Sequence, residues 1–433
     1  MTRYDDLLQS IKKKEADVSI IGMGYIGLPT ALFYAMRGLK VRGIDTNQSL
    51  IDGLKKGIIP IHEEGLGDIA EKHLSKIQLV TSYEELGGSD VFVLCLPSPV
   101  DESGKPVIIY LEQALKDIAK VAKKGGLILV ESTVPVGTTE DLANLFAKVS
   151  GLKPDTDFWF AHCPERVLPG KVVEEMDTNH RLAGGTSEKS AELAVAFLAQ
   201  VFKAELVHPT TASVSEAAKL AENAFRDTNI AYANELAKLC TSLEIDVSEV
   251  IKLANLHPRV EILSPGLGVG GYCLPKDGWI LVASAREKGG SAELIPAARH
   301  VNDSMPMHVS QRIRKEVLDC TDKATVGLLG ISFKENVSDT RNSPTVELLQ
   351  ALTSTDVSVI VYDPMVDEGF GAKQAESMDE LLSVSDIIVL CVGHDQIVKE
   401  LAEQDLTEKV FVDPRGLMPK MKGKVKKYVG LSV

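Results

Sequence analysis

The residues best placed for covalent chemistry sit in one glycine-rich run, Gly266-Leu267-Gly268-Val269-Gly270-Gly271-Tyr272-Cys273-Leu274-Pro275-Lys276-Asp277. Glycines this dense make a helix or strand interior costly, so the run is expected as a loop that lets another group approach its backbone. Cys273 emerges from it beside Lys276 and Asp277. A cysteine taken at random is more often an inert, buried hydrophobe than a nucleophile. The glycines and flanking charges favour the reactive reading, because a thiolate needs access and a positive setting. A second set is Lys219, Asn223 and Arg226, spaced i, i+4 and i+7 so that one helical face carries all three. A solvated polar stripe is the ordinary fate of such residues. The neighbours Ala218, Leu220, Ala221, Ala224 and Phe225 argue instead for a largely buried helix, where a lysine is explained if it titrates or holds an anion.

A third motif, Gly22-Met23-Gly24-Tyr25-Ile26-Gly27, follows the apolar run 18–21 and opens an apolar helix. The first glycine permits the tight turn, the second lets the backbone approach a pyrophosphate, and the third allows close helix–strand packing. Alone, the spacing is a weak signal and often only a turn. Asp45, at the end of the next apolar run, strengthens it, since a carboxylate there bonds ribose hydroxyls. It also repels a 2′-phosphate, and no arginine follows in Thr46-Asn47, so NAD is expected over NADP. Pro97-Ser98-Pro99 and Ser132-Thr133-Val134-Pro135 follow later runs, at the edge where doubly wound sheets bind ligands, though each reads equally well as a proline turn.

These motifs need a scaffold, and the hydrophobic pattern supplies one. Runs 18–21, 41–45, 91–96, 127–130 and 158–161 are near-continuous in Val, Ile and Leu, which predicts a parallel sheet covered on both faces. Around residue 213 the pattern becomes one long helix reaching about residue 242, with Ser213 and Glu216 as an S-x-x-E capping box. At 1.5 Å per residue such a helix is a rod of roughly 45 Å, suited to separating two domains and forming a dimer interface. A second helix runs from Val247 towards the His257-Pro258 stop. A second alternating block follows, with strands expected at 325–330, 357–362, 386–392 and 409–412. It echoes the first: Ser89-Asp90 to Cys95 is matched by Ser385-Asp386 to Cys391. The expected fold is α/β, two doubly wound (Rossmann-like) parallel-sheet lobes joined by a long central helix. The domains expected are a nucleotide-binding lobe over 1–212, a helical dimerisation domain with the cysteine loop over 213–315, and a second lobe over 316–433.

Bulk properties narrow the function. A chain of 433 residues exceeds one hydrophobic core. A net charge of −14 opposes nucleic-acid binding, which needs a basic stripe, but not a small anionic ligand held by a few Arg and Lys. No run approaches the roughly 20 apolar residues of a membrane span, and the N-terminus lacks the apolar core of a signal peptide, so a cytoplasmic protein is expected. The cysteines at 95, 163, 240, 273, 320 and 391 show no CxxC, so they read as thiols and no metal site is expected.

Taken together, these motifs resemble the UDP-glucose/UDP-N-acetylmannosamine dehydrogenase family over nearly the whole chain. The markers are Gly22 to Gly27, Ser132-Thr133-Val134-Pro135-Val136-Gly137, Cys163-Pro164-Glu165-Arg166-Val167-Leu168-Pro169-Gly170, the helix with Lys219 and Asn223, the 266–277 loop, Gly330-Ile331-Ser332-Phe333-Lys334, and Asp339 to Pro344. The resemblance implies an NAD-dependent double oxidation of a UDP-sugar at C6, through a cysteine thiohemiacetal and thioester. Cys273 would be the nucleophile, and Lys219 the acid/base or oxyanion partner with Asn223 beside it. Asp277 and Thr133 would position the hydrolytic water, with Glu165 assisting. Cofactor contacts would come from Gly22, Gly24, Tyr25, Ile26, Gly27, Asp45, Ser98, Thr133 and Arg341. Substrate contacts would come from Arg166, Val167, Lys219, Asn223, Arg226, His257, Gly270, Phe333 and Lys334. Arg259 would serve the neighbouring subunit's site, which implies a homodimer. UDP-glucose members carry P-E-F-L-R-E where this chain has Pro164 to Pro169, so a role of the second acid cannot be transferred. The form here is most similar to the N-acetylmannosamine branch, and UDP-N-acetylmannosamine is expected ahead of UDP-N-acetylglucosamine and UDP-glucose. Two rivals are a β-hydroxyacid dehydrogenase, which performs one oxidation, and a non-catalytic NAD or UDP-sugar sensor, which has no use for Lys219 and Cys273.

Overall fold

The Val/Ile/Leu runs form strands, and the strands assemble into two sheets. In a computed structural model describing residues 2–61, 63–101, 106–320, 324–355 and 357–432, the first sheet contains β1 (Asp17–Ile21), β2 (Lys40–Ile44), β3 (Ile77–Val80), β4 (Val91–Leu94), β5 (Gly126–Val130), β6 (Phe158–His162), β7 (Arg181–Gly185) and β8 (Val207–Thr211). Its order is β3-β2-β1-β4-β5-β6-β7-β8, parallel apart from the antiparallel β6–β7 pair. Chain order reverses between β1 and β4, which creates the crevice where such sheets bind dinucleotides. Alternate residues fill the two faces. Ile20, Val93 and Trp159 enter one core, and Ile21, Phe92 and Phe160 enter the other.

The second sheet contains β9 (Thr325–Leu329), β10 (Ser358–Tyr362), β11 (Lys373–Gln374), β12 (Ile387–Leu390), β13 (Leu406–Asp413) and β14 (Val425–Gly430). It runs parallel in the order β11-β10-β9-β12-β13-β14. The expected class, two Rossmann-like lobes with a long central helix, is the one observed. Sequence reading missed the edge strands β3, β8, β11 and β14 and the interior strand β7, whose residues lack a continuous apolar run. It also left residues 1–16 without a role. The helix Arg3–Lys12 there is capped by a Thr2–Asp5 box and buries Leu7 and Ile11 in the first core.

The long helix spans Ala212–Leu243. Glu216 does not serve its own N-terminus as the capping box predicted. Its buried carboxylate accepts from the amides of Gly137 at 2.6 Å and Thr139 at 2.7 Å, and from the Thr139 hydroxyl at 2.6 Å. It thereby satisfies orphan donors of another helix, Thr138–Ser150. The expectation of a largely buried helix holds for one face, with Leu220, Ala224 and Ala231 buried, but Phe225 is 68% exposed. The described residues divide into two compact units, 1–221 with 283–289, and 222–282 with 290–433. No helix among them is long and apolar enough to cross a membrane.

Candidate active site

In the first unit the glycine turn has the geometry its spacing predicts. Gly22 has φ +94°, and a Cβ there would stand 2.6 Å from the Cys95 carbonyl oxygen. A Cβ on Gly27 would overlap the Gly22 carbonyl. At Gly24 a Cβ would meet nothing within 4 Å, so the turn's middle is open. The helix Gly27–Met36 begins at Ile26 without a side-chain cap, which leaves first-turn amides for an anion. Asp45 closes the turn, accepting from the amides of Met23 at 2.9 Å and Asn47 at 2.8 Å, and stays partly exposed. This arrangement fits NAD: an open cradle, donors for a pyrophosphate and a carboxylate for a ribose. Tyr25 is exposed, with its hydroxyl donating to Glu63. Ser98 is buried and Thr133 partly so.

The carboxyl edge of the same sheet anchors the start of the long helix. The Ser215 hydroxyl donates to the His162 carbonyl at 3.1 Å and lies 2.9 Å from His162 Nδ1. Burial, more than the nearby Lys219 charge, pushes His162 down to about 3, so the ring is neutral. One turn beyond this anchor, Lys219 is only 8% exposed. Glu165 is buried against Arg181, Oε2 to Nη1 at 2.5 Å. Its other oxygen accepts from the amides of Arg166 at 2.6 Å and Val167 at 3.0 Å. The Arg166 guanidinium donates to the His180 carbonyl.

In the second unit the structure brings the cysteine loop against the 333–344 segment. The Gly271 amide donates to the Arg341 carbonyl at 3.0 Å, and the Asn342 side chain donates to the Gly271 carbonyl at 3.0 Å. A Cβ on Gly271 would strike the Phe333 ring at 2.7 Å, and one on Gly270 would strike the Asn342 carbonyl at 2.5 Å. The glycines are there for this contact. Cys273 is exposed and immediately precedes the helix Leu274–Glu287. Its carbonyl accepts from the amides of Lys276 at 3.1 Å and Asp277 at 3.0 Å. Asp277 is fully buried, with Asn223 Nδ2 at 2.6 Å and Lys276 Nζ at 2.8 Å from its two oxygens. The Tyr272 ring has Lys276 Nζ at 4.9 Å and Arg341 at 5.1 Å from its centroid. Asp339 holds Arg341 above its ordinary value, with smaller contributions from Cys273 and Tyr272. Arg226, His257 and Arg259 are exposed, and Lys334 is half-buried.

Sequence reasoning missed three supports of this loop. Asn234, buried on the long helix, accepts from the Gly266 amide at 2.8 Å and donates to Asn302 at 2.9 Å. Arg415 lies under Gly266, whose Cβ would come within 3.0 Å of it, and pairs with Glu335 at 2.5 Å. Only Asn234 carried a signal, as a polar residue in an apolar helix. Asn302 and Arg415 gain meaning from partners far along the chain.

A parallel sheet with this turn at its switch point defines the class, a Rossmann-type dinucleotide-binding protein. Comparison with known proteins narrows it: the chain belongs to the UDP-glucose/GDP-mannose dehydrogenase family. The family's NAD binding domain matches residues 16–204, its central domain 213–304 and its UDP binding domain 327–420. The chain is therefore an NAD-dependent UDP-sugar dehydrogenase. It is 36% identical over 409 residues to UDP-N-acetyl-D-mannosamine dehydrogenase of Pyrococcus horikoshii, covering 93% of this chain and 96% of that one. The solved structure of UDP-D-ManNAc dehydrogenase from the same organism superposes with a TM-score of 0.89 at 35% identity, covering 96% of this chain and 99% of that one. The Campylobacter jejuni UDP-N-acetyl-D-mannosamine dehydrogenase is 39% identical over 399 residues, 88% of this chain and 96% of that one. NDP-N-acetyl-D-galactosaminuronic acid dehydrogenase of Ralstonia nicotianae is 39% identical over 414 residues, covering 92% and 96%.

Proposed function

We propose that this dehydrogenase oxidises C6 of UDP-N-acetyl-D-mannosamine twice, to UDP-N-acetyl-D-mannosaminuronate, with Cys273 as covalent nucleophile. The seat of Cys273 carries the reading. The thiol is exposed at a helix N-terminus, where the helix dipole favours an anion. Two NAD⁺ would be used in turn, one accepting the hydride of each oxidation, with NADH leaving between them. Lys219 takes the proton of the C6 hydroxyl as the first hydride leaves. The Cys273 sulfur adds to the resulting aldehyde carbon, and the carbonyl pair becomes an oxyanion held by Lys219 and Asn223. Loss of the second hydride gives a thioester. Water, positioned by Asp277 and Thr133 and assisted by Glu165, adds to it and expels the thiolate.

The sugar nucleotide is gripped by Arg166, Val167, Arg226, His257, Gly270, Phe333 and Lys334, and by Arg259 of a second subunit. The cofactor is held by Gly22 to Gly27, Asp45, Ser98, Thr133 and Arg341. The parts are a cofactor lobe over 1–212, a central helical part over 213–315 and a UDP lobe over 316–433. Support for a homodimer is the outer face of the long helix. Phe225, Tyr232, Leu239 and Leu243 recur there at heptad-like spacing, 68%, 54%, 56% and 66% exposed, an apolar stripe that a second copy would cover. The Tyr232→Glu variant is expected to shift the sedimenting species from dimer to monomer.

The sugar rests on the Cys163 to Gly170 form and on the names of the relatives, which differ in the sugar they act on. A panel of UDP-N-acetylmannosamine, UDP-N-acetylglucosamine and UDP-glucose tests it. The first is expected to give the highest kcat/KM by tenfold or more, about 1.4 kcal/mol of transition-state discrimination. A higher value for either competitor would overturn the assignment.

A further inference from the structure

Behind the dinucleotide turn lies a buried polar cluster centred on Glu131, a residue that the reaction above does not use. Glu131, just past β5, is 8% exposed. Its Oε2 stands 2.7 Å from the Cys95 sulfur and accepts from the Thr30 hydroxyl at 3.3 Å. Thr30 lies on the dinucleotide helix and Cys95 just past β4. The Glu165–Arg181 pair, each side chain 4% exposed, acts on this carboxyl electrostatically. Arg181 Nε is buried with no partner among the described residues. Tyr34 and Cys163 complete the surroundings, and burial raises both far enough to keep them neutral.

Charge balance makes the cluster informative. It holds two carboxyls and one guanidinium, so full ionisation leaves an uncompensated charge away from water, which is expensive. One proton removes that charge. Burial, then the Glu165 charge, pushes Glu131 up to about 7. Glu165 orients the segment that follows it, because its second oxygen holds the Arg166 and Val167 amides.

We propose that Glu131 is a positioning residue that binds and releases one proton, and thereby decides whether Arg181 serves Glu165 alone or is shared between two carboxylates. With Glu131 neutral, Arg181 holds Glu165 and the Arg166 segment in place. With Glu131 ionised, Arg181 is drawn towards it and the segment's hold on the sugar loosens. The inference rests on the reading of Glu165 and Arg166 as sugar-site residues.

The test compares native protein with Glu131→Gln, which keeps the shape and removes the titration. Infrared difference spectra of the full chain between about pH 6 and about pH 8 should show loss of a buried protonated-carboxyl band in native protein and none in the variant. KM for UDP-N-acetylmannosamine at saturating NAD⁺ should rise several-fold over that range in native protein, with kcat little changed. In the variant it should stay at the native low-pH value. An unchanged band or an unchanged KM profile in Glu131→Gln would overturn the proposal. Cys95→Ala guards against a folding defect: removing the thiol donor should move the native band's midpoint upward, and an unmoved midpoint also counts against the proposal. Glu165→Gln separates the two readings. If it leaves KM and turnover at native values, the sugar-site reading fails while the infrared result stands by itself.

Discussion

In the first lobe the Gly22 amide donates to the Ile44 carbonyl at 2.8 Å, and Asp45 accepts from the amide of Met23 at 2.9 Å. In the second, the Gly330 amide donates to the Tyr362 carbonyl at 2.9 Å, and Asp363 accepts from the amide of Ile331 at 2.6 Å. Both glycines have positive φ, +94° and +86°. The same turn has therefore been built twice, with opposite outcomes at its mouth. Gly24 leaves space, whereas the second lobe places Ser332 there, fully buried, with its hydroxyl donating to the Lys334 carbonyl at 2.7 Å. Asp45 keeps an exposed edge, whereas Asp363 is sealed by His394 at 3.1 Å. One turn can admit a dinucleotide, and the other is a structural knot. A Rossmann lobe thus need not bind its ligand at its glycine turn, which agrees with placing the second lobe's contribution at Phe333 and Lys334.

The largest effect that would sharpen this contrast comes from the paired glycines. Gly22→Ala and Gly330→Ala each force a side chain to positive φ and into contacts of 2.6 Å and 2.5 Å. Each should destabilise its own lobe by roughly 2–4 kcal/mol. Only Gly22→Ala should also weaken NAD binding, as read by cofactor titration of folded protein. Equal loss of NAD affinity in both variants would break the comparison.

Acid should separate the lobes next. His162 in the first lobe is depressed by burial, so the unfolded chain binds its proton more readily. That stability is present above about pH 6.5 and is lost as pH falls, at up to about 1.4 kcal/mol per pH unit. Asp363 in the second lobe is held low by His394 and backbone amides, against the upward pull of burial. Its contribution is present above about pH 4 and lost only below that value. Glu131, pushed up to about 7, works in the opposite sense over this range, so the test uses Glu131→Gln protein. Hydrogen exchange of that variant followed between about pH 6.5 and pH 4 should show β1–β8 losing protection before β9–β14. The reverse order would contradict the assignment.

The smallest effects are at the mouths. Gly24→Ala should leave the melting temperature within the change of about 0.5 kcal/mol typical of a surface site, yet weaken NAD about tenfold. Ser332→Ala should cost about 1 kcal/mol through its lost hydrogen bonds and leave NAD affinity unchanged. Melting curves with and without NAD distinguish the two.

Much of this was legible in the sequence because it is local. The glycine fingerprint, Asp45 and the apolar strands each depend on residues close in the chain, and the periodicity of the apolar runs reports the parallel sheets. The cysteine loop was legible as a loop but not in its purpose, since the Phe333 ring against which Gly271 packs lies 62 positions later. Glu216 misled for the same reason: local spacing suggested a capping box, while the helix starting at Thr138 offered better donors. Arg181, Asn302 and Arg415 left no trace in local pattern, because a lone polar residue in a half-buried strand, helix or loop acquires a role only from its tertiary neighbours.

The most direct measurement counts NADH against uronate formed from UDP-N-acetylmannosamine, in native protein and in Cys273→Ala. The account predicts two NADH per uronate for native protein, and no uronate from the variant although it still binds the sugar nucleotide. Undiminished uronate formation by the variant, or a single NADH per product in native protein, would contradict covalent capture at Cys273.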